Sequence, residues 1–487
     1  MALPNQSAVS FETCSSSDDQ DSGSPQITLR GRSGIVFITG ANESKQFLFE
    51  AAKKADLEVI VIDSAESAGT RLLEAGVVDR FIQMELLSDT EEAAHQCCSA
   101  IQSLELPIQG IVTFMEMSVF LASRVAELMK LPGLPSASVA VARDKRLTRE
   151  MTSRAGLANP AVASIKCEAD VEASAQAVGF PAVLKPIIGA DSLGVKRVDS
   201  IEELRVAFLE AKRVMSSVVI SAGFLSCPTE PKSMVVFGEN TEPVLPPVLP
   251  VEFLLEEYLD GPEVDIDLLL FEGACLYAAV SDNGQTIEPY FTETYGILPS
   301  LLSREDQQAL TKLAIDSALA IGLTSGVFHV EAKLTSRGPR LIEVNARLGG
   351  GPICEMHKRV AGIDLAHEQI LISAGLGPSF KTSNSHTPTR AFAYMTTNAV
   401  SSGRVGERME FLETFRATAS KLSCRVKPGM YIVGPEEGQP TWLTEIWMER
   451  PLETGGKSPN AVCADLVSEI CKTSDQIATE FARNYVH

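Results

Sequence analysis

The sequence predicts an α/β protein in which a parallel-sheet domain is followed by antiparallel strand pairs. Strands and helices alternate after Gly34, where a buried strand precedes a helix over Ser44–Lys54 and a second strand over Glu58–Asp63. Such alternation is typical of a parallel sheet. From His329 to Gly351, two alternating apolar strands flank a tight turn. After about Arg390, short strands separated by Gly and Pro predict a small C-terminal α/β module.

The N-terminal pattern continues with one more strand and helix. A strand is predicted over Ile108–Phe114 and a helix over Ser118–Met129. Ligands of parallel sheets bind at the carboxyl ends of the strands. We therefore expect the Gly40-Ala41 turn, Asp63 and Glu116 to face a cleft.

Two segments in the middle of the chain carry residue types that suit a nucleotide site. In Pro181–Val198, a buried strand ends near Lys185 and is followed by a loop of small residues, namely Gly189, Ala190, Ser192 and Gly194. Small residues let backbone N–H groups approach phosphates closely, and a lysine supplies a positive charge. The spacing is not that of a Walker A loop. In Phe253–Asp267, an apolar strand runs into two glutamates and a Gly-Pro turn before a second strand.

The hairpin of His329–Gly351 is the most informative segment. Glu331 lies on its first strand, and Glu343, Asn345 and Arg347 alternate along the second, so that these three share one face. The hairpin can bring Glu331 opposite them. Two carboxylates and an amide oxygen suit Mg²⁺ that also holds phosphates, and a guanidinium suits phosphate or carboxylate oxygens. The alternative is an exposed hairpin with a solvated charged face.

In this order and spacing, the three segments resemble the ATP-grasp superfamily, whose members pass a carboxylate through an acyl phosphate to an amine or another nucleophile. The resemblance covers roughly Gly34 to Gly377. It implies a Rossmann-like N-terminal domain, ATP-grasp α+β domains and a C-terminal α/β module. The expected units are residues 1–30 (a disordered acidic tail), 31–140 (the Rossmann-like domain), 141–385 (the ATP-grasp domain, with a lid at about 160–255) and 386–487 (the C-terminal module).

The resemblance also implies ATP and Mg²⁺, with Mn²⁺ as an alternative ion. The residues implied to bind ATP are Lys145, Lys185, Gly189, Ser192, Gly194, Glu256, Glu257, Tyr258, Leu259 and Glu263. The implied metal ligands are Glu331, Glu343 and Asn345. Arg347 is implied to clamp the transferred phosphate, while Lys185 neutralises charge during catalysis.

The phrase RLIEVNARLGGG, preceded by FTET at Phe291–Thr294, is similar to a narrower group, the dipeptide-forming L-amino acid ligases and carnosine synthase. In that group, the glutamate matching Glu293 helps bind substrate amino groups, which makes Glu293 a catalytic and substrate candidate. A histidine follows it after two residues in the group, whereas Gly296 stands here and is expected to open space. Further substrate candidates are Glu116, Arg347, Gly350 and His357.

Two histidines have alternative interpretations. His357 either reaches the substrate from a helix or is a surface or capping residue. His329 shares the face of Glu331, and either contacts phosphate or packs in the core.

Composition limits the class of protein. A net charge of −21 over 487 residues argues against nucleic acid and anionic membranes as partners, because these need basic patches. The chain has no run of 18 apolar residues, so we expect no membrane span. Its ten cysteines lack zinc or CxxC spacing, which favours reduced thiols in a cytoplasmic protein. Residues 1–30 are acidic and have no apolar core of a targeting peptide.

The sequence therefore predicts an ADP-forming carboxylate–amine ligase whose partners are small-molecule carboxylates and amines, with amino acids as the expected class. A homodimer is compatible with the sequence. Two alternatives stay open. One is an ATP-grasp carboxylase or purine-pathway ligase, and the other is an ATP-binding regulatory module without catalysis.

Overall fold

The computed structural model describes residues 33–86, 90–189, 192–216, 219–221, 224–226, 252–379, 387–453 and 455–486. The predicted disordered tail over residues 1–30 lies outside this part of the chain. No helix in the described ranges has both the length and the apolar character needed to cross a membrane.

The N-terminal domain alternates strands and helices as predicted. Its elements are β1 (Gly34–Ile38), α1 (Gln46–Lys54), β2 (Glu58–Asp63), α2 (Gly69–Glu74), β3 (Arg80–Gln83), α3 (Glu91–Gln102), β4 (Ile108–Val112) and α4 (Val119–Met129). The four strands form a parallel sheet in the order β3-β2-β1-β4. The predicted parallel α/β class of this domain is confirmed.

Both faces of this sheet are buried, which explains why its strands are almost wholly apolar. Successive residues of β1 enter different apolar clusters. Phe37 packs against Phe49 of α1, with ring centroids 5.0 Å apart, whereas Ile38 belongs to the cluster that contains Leu121 of α4.

A second, smaller sheet follows. The elements of this part of the chain are α5 (Ser136–Arg143), α6 (Lys145–Arg154), β5 (Val162–Ile165), α7 (Val171–Val178), β6 (Ala182–Pro186), β7 (Lys196–Val198), α8 (Ile201–Ser216), β8 (Val219–Ser221), β9 (Phe224–Ser226) and β10 (Phe253–Glu257). The sheet is antiparallel in the order β5-β10-β6-β7. Its strands alternate, because Leu184 and Leu255 pack beneath α7 and α8 while Lys185 and Glu256 face a cavity.

The central sheet contains the predicted hairpin. The elements from here to the C-terminus are β11 (Glu263–Phe271), β12 (Ala274–Asn283), β13 (Tyr295–Leu298), α9 (Arg304–Ile321), β14 (Gly326–Thr335), β15 (Gly338–Asn345), α10 (Ile353–Ala361), α11 (Leu365–Ser373), β16 (Arg390–Asn398), β17 (Gly403–Val405), α12 (Leu412–Arg416), β18 (Lys421–Cys424), β19 (Tyr431–Ile432), β20 (Trp442–Pro451), α13 (Pro459–Arg483) and β21 (Tyr485–Val486). Eight strands form one antiparallel sheet in the order β15-β14-β11-β12-β13-β16-β20-β18.

This sheet separates an apolar core from the cavity. Val264, Ile266 and Val330 pack in the apolar cluster with α9, whereas the alternate residues Asp265 and Glu331 line the cavity. Period-two alternation thus puts the charged residues of EVDID and HVEAK on one face.

The central sheet runs across the predicted boundary at residue 386. Strands β16, β20 and β18 follow that position in the chain, yet β16 pairs with β13 and extends the sheet. Helix α13 packs on β16 and β20. The division into an ATP-grasp domain and a C-terminal module stays a prediction. The backbone hydrogen bonds between β13 and β16 join strands from both predicted units into one sheet.

The turn between β10 and β11 provides a test of this architecture. Gly261 has φ +81°, and a Cβ there would lie 2.0 Å from the carbonyl oxygen of Leu334. Gly273 has nearly the same φ, +82°, but no atom within 4 Å of a Cβ. We expect Gly261→Ala to lower the thermal unfolding midpoint clearly more than Gly273→Ala, since overpacking adds about 1–3 kcal/mol to the shared backbone strain. Equal midpoints for the two variants would contradict this close approach.

Candidate active site

One large cavity, of about 750 Å³, lies between the N-terminal domain, the small sheet and the central sheet. Most of the predicted site residues line it: Glu116, Lys145, Lys185, Gly189, Ser192, Glu256, Glu257, Tyr258, Leu259, Glu263, Glu293, Glu331, Glu343, Asn345, Arg347 and Gly350. Gly194 and His357 do not. Of the residues expected at the N-terminal strand ends, Glu116 lines the cavity, whereas Asp63 is buried and accepts the N–H of Ala41 at 2.9 Å. Asp63 therefore fixes the turn after β1.

Glu331 and Glu343 form a cross-strand pair on β14 and β15. The amide of Asn345 donates to Glu331 at 3.3 Å, and Lys145 Nζ lies 2.8 Å from Glu343. Burial, together with the charge of Glu343, raises the pKa of Glu331 to about 8. Burial also opposes ionisation of Glu343, but Lys145 lowers its pKa. The predicted proximity of these two acids is thus present in the structure.

This pair fits a divalent cation on chemical grounds. Two half-buried carboxylates that face each other repel when both are ionised, and a dication between them would relieve that repulsion. The donors are hard oxygens of the kind that Mg²⁺ prefers. No group of three or more His, Cys, Asp or Glu side chains suited to a metal ion occurs among the described residues. An ion held by Glu331, Glu343 and Asn345 would therefore take further ligands from water or phosphate oxygens.

Glu256 lies at the centre of a buried charge cluster beside Glu331 and Glu343, the two predicted metal-binding acids (the metal acids). Arg149 contacts its carboxylate with two nitrogens, at 2.8 and 3.1 Å, and Lys185 forms a short ion pair with it. Although burial opposes the charged form, the two cations lower the pKa of Glu256 to about 2. Glu256 is 3% exposed, and its carboxylate holds Lys185 in place. This role is in addition to any contact that Glu256 makes with adenine.

Sequence reasoning missed Arg149. It lies four residues after Lys145 on α6, so that both side chains share one face of the helix. That spacing was the available signal. Arg149 also donates to the carbonyl oxygen of Ile342 at 2.8 Å, which ties α6 to β15.

The residues implied to bind adenine and ribose lie where the small sheet meets the central sheet. Tyr258 donates to Glu288 at 2.7 Å, and the guanidinium of Arg197 lies 4.5 Å from its ring centroid. Glu257 pairs with Arg337 at 2.5 Å, so its carboxylate is engaged at the rim. The carbonyl oxygen of Leu259 accepts from Lys333 at 3.3 Å.

Glu263, which is implied to bind ribose hydroxyls, is half-buried. Burial raises its pKa to about 7, although Lys333 lies 3.8 Å away and opposes the rise. A carboxyl group in this state can donate or accept hydrogen bonds.

The loop after β6 covers one end of the cavity. Gly189 and Ser192 line it, and Ser192 has φ +56° and donates to the carbonyl oxygen of Phe291 at 3.3 Å. Gly194 instead lies against Pro186 and Met215, with φ +76°. Residues 190 and 191 lie outside the described part of the chain.

A buried hydrogen-bonded chain lies beneath the metal acids. His329 Nδ1 and His357 Nε2 flank the carboxylate of Asp267 at 2.9 and 2.8 Å, and His357 Nδ1 meets the hydroxyl of Tyr277 at 2.8 Å. His357 is fully buried, so its predicted substrate contact, like its surface alternative, is wrong. Burial opposes protonation of His329, yet Asp265 and Asp267 raise its pKa to about 10. His329 is thus an imidazolium that lies 4.0 Å from Glu331.

Arg347 lies two residues beyond the end of β15, not on the strand as predicted. Its Nε is 2.7 Å from Glu116, and its NH1 donates to the carbonyl oxygen of Leu348 at 3.0 Å. Glu116 therefore orients Arg347 from the N-terminal domain. Both residues are substrate candidates predicted from the sequence, but the contact between them was not predicted.

The expected open space beside Gly296 is filled, so that expectation is wrong. Gly296 on β13 pairs with Tyr394 on β16, and a Cβ at Gly296 would lie 2.4 Å from Cε1 of Tyr394. Tyr394 lines the cavity, and burial, with the charges of Asp265 and Glu293, raises its pKa well above the usual value. The phenol of Tyr394 thus occupies the space beside Gly296.

This contact predicts a strong coupling between the two positions. Gly296→Ala should lower the thermal unfolding midpoint in the presence of Tyr394, because the ring has to leave its site, at a cost of about 1–3 kcal/mol. In a Tyr394→Ala background the same change should cost little. Additive penalties across the four proteins of this double-mutant cycle would show that the ring and Gly296 are not in contact.

Known proteins share these features in sequence and in fold. Models of an ATP-grasp N-terminal domain and of an ATP-grasp domain match residues 49–133 and 242–355. Carnosine synthase 1 of Homo sapiens is 29% identical over 369 residues, which are 74% of this chain and 42% of that protein. Alanine–anticapsin ligase of Bacillus subtilis is 27% identical over 267 residues, 53% of this chain and 52% of that protein.

The chain thus spans about half or less of the length of these curated relatives. The crystal structure of an L-amino acid ligase from Bacillus licheniformis superposes with a TM-score of 0.70 at 22% identity, covering 91% of this chain and 98% of that one. Two parts of the chain, residues 49–133 and 242–355, thus match ATP-grasp family models, and the chain shares its fold with this L-amino acid ligase.

Proposed function

We propose that this chain is an ATP-dependent ligase that joins a carboxylate to an amine through an acyl phosphate, releasing ADP and phosphate. The observation that carries the proposal is the arrangement of Glu331 opposite Glu343, with Lys145 and Arg347 around the same cavity. The sequence similarity to carnosine synthase 1 and alanine–anticapsin ligase supports a dipeptide or amino-acid amide as the product.

Each charged residue has a definable task in this reaction. Lys145 and Lys185 neutralise phosphate oxygens, and Glu256 keeps the ammonium of Lys185 at the end of β6. Glu331, Glu343 and Asn345 would hold Mg²⁺, or Mn²⁺ in its place, and the bound ion supplies positive charge to the phosphates. Arg347, held by Glu116, binds the transferred phosphoryl group and the acyl oxygen. The carboxylate of the first substrate attacks the γ-phosphate of ATP, and ADP leaves. The amine of the second substrate then attacks the acyl carbon, phosphate leaves, and the nitrogen loses a proton.

Positioning and charge neutralisation account for the catalysis in this scheme. The cavity walls restrict access of water to an acyl phosphate, which would otherwise be hydrolysed. A cytoplasmic location and a homodimer stay predictions.

The site gives less support to the two alternatives. A binding module without catalysis does not need two facing acids, Glu331 and Glu343, where a bound cation would stabilise the ionised form of both. An ATP-grasp carboxylase or purine-pathway ligase shares the fold, and is distinguished by its requirement for bicarbonate or an amino-imidazole substrate.

A phosphate-release screen tests the proposal. Pairs of L-amino acids are supplied with Mg-ATP, and products are identified by mass as dipeptides. ADP formation that needs two amino acids supports the ligase. Turnover that needs bicarbonate, or ADP formation that no amino-acid pair stimulates, would overturn the proposal.

Glu343→Gln should reduce ATP turnover by about a hundredfold or more, because it removes a charge that the metal–phosphate complex uses. The fold should persist, since the change also relieves the repulsion with Glu331. Glu272→Gln, at an exposed turn of the same sheet, is the matched control. Native-like circular dichroism with full activity of Glu343→Gln would contradict the metal assignment.

Glu293→Ala should weaken binding of the amino substrate more than binding of ATP, since an ammonium group is attracted to this carboxylate. Steady-state constants for both substrates give the comparison. If both constants change equally, or only that for ATP, Glu293 serves the nucleotide or the fold instead.

We also expect at least one substrate amino acid to be bulkier than alanine. Tyr394 occupies the space beside Gly296, so the expectation now rests on Gly350 and Gly351, where a Cβ would meet no atom within 4 Å. An enzyme that couples only glycine or alanine in the phosphate-release screen would contradict it.

A further inference from the structure

The wall of the cavity opposite the metal acids is built by the last strands of the central sheet. Tyr394 on β16 pairs with Trp447 on β20, which in turn pairs with Lys421 on β18. Thr396 and Glu445 occupy the adjacent positions two residues along and face the same side. All five line the cavity, as do Trp442 and Arg425. The chain has two tryptophans, and both are therefore in this wall.

Glu445 is the common acidic partner of Lys421 and Arg425 in this wall. Its side chain is 9% exposed and forms a short ion pair with Arg425. Lys421 Nζ lies 3.7 Å from one carboxylate oxygen, and Trp447 Nε1 donates to that oxygen at 2.9 Å. Two cations share one carboxylate, which leaves a net positive charge.

The two cations retain the capacity to bind an anion. Their side chains are 46% and 48% exposed, and an arginine has five N–H donors while a lysine has three. Lys421 Nζ also lies 3.7 Å from the centroid of the Trp447 ring, which fixes its stem along an apolar surface. A fixed cation pair loses little conformational entropy when it binds.

The nucleotide end of the cavity differs in the exposure of its cations. There Lys145 pairs with Glu343 and Arg347 with Glu116, while Arg149 and Lys185 share Glu256. The side chains of these four cations are at most 16% exposed, whereas those of Lys421 and Arg425 are 46% and 48% exposed. Two cations that share one carboxylate and stay accessible from the cavity suit a carboxylate that ATP does not supply.

We propose that Lys421 and Arg425 bind the carboxylate of the amine substrate, which is therefore an amino acid with a free carboxyl group. This inference rests on the proposed function. The amine of such a substrate would point toward Arg347 and the acyl group, while its carboxylate lies at the positive wall. Trp442 and Trp447 would contact its side chain. The wall thereby binds amino acids in preference to amines that lack a carboxylate.

Intrinsic tryptophan fluorescence tests this subsite without turnover, because both tryptophans lie in it. The full chain, with Mg²⁺ and a non-hydrolysable ATP analogue, is titrated with standard L-amino acids other than tryptophan and with the corresponding C-terminal amides. At least one amino acid should change the emission at a concentration about tenfold or more below that of its amide, as expected for loss of a charge-assisted hydrogen bond. Equal responses to all acid–amide pairs would overturn the proposal.

Charge-removing variants make the assignment specific. Lys421→Met and Arg425→Met keep aliphatic stems and should abolish the preference for the acid over the amide, whereas Arg425→Lys should retain part of it. Lys427→Met, on the exposed loop after β18, should behave as the unaltered chain. Thermal unfolding identifies any variant that fails to fold. If the Met variants fail to fold, the acid-over-amide preference of Arg425→Lys decides alone. Preference that survives in folded Met variants would overturn the proposal.

Failure of this inference is distinguishable from failure of the proposed function. If the phosphate-release screen yields dipeptides while the Met variants keep the acid preference, the ligase stands and the subsite is elsewhere. If the screen yields no product, the fluorescence titration still reports whether this wall binds a carboxylate.

Discussion

The buried ion-pair cluster of Glu256 joins the parts of the molecule that form the cavity. Its carboxylate lies on β10, its partners Arg149 and Lys185 lie on α6 and β6, and Arg149 also reaches a carbonyl of β15. A charge removed from water is stable only when its partners are fixed. The cluster therefore demands one arrangement of helix, small sheet and central sheet, and this arrangement sets the distance between Lys185 and the metal acids.

Electrostatic balance governs the remainder of the site. Acids outnumber bases in the whole chain, yet several carboxylates in the cavity have a basic partner: Lys145 lies beside Glu343, and Arg347 beside Glu116. Glu331 differs, because burial and the charge of Glu343 raise its pKa although His329 lies 4.0 Å away. Such imbalance is typical of positions that a ligand completes.

Local patterns were sufficient to predict much of the fold and part of the site. The hairpin around Glu331 and Glu343 is short, so alternation and the turn predicted that Glu331 can lie opposite the second strand. The irregularity between Glu331 and Ala332, which pairs Glu331 with Glu343, was not predicted. Lys145 was predicted as a residue that binds ATP, and the structure places it at the first position of a helix that Asp144 caps. Contacts between distant segments could not be predicted, since local periodicity does not encode them. Glu116 and Arg347 are 231 positions apart, and nothing near Gly296 in sequence indicates that Tyr394 occupies the adjacent space.

The continuity of the central sheet has a consequence for how such an enzyme can change. Strands that contribute to the metal site and strands that form the opposite wall are held at fixed spacing by backbone hydrogen bonds, which do not depend on side-chain identity. Side chains on β16, β18 and β20 can therefore be exchanged while the geometry of β14 and β15 is kept. Under the proposed function, the fold separates the residues that would handle ATP from those that would select what is joined. New preferences could then arise without rebuilding the half that would bind the phosphates.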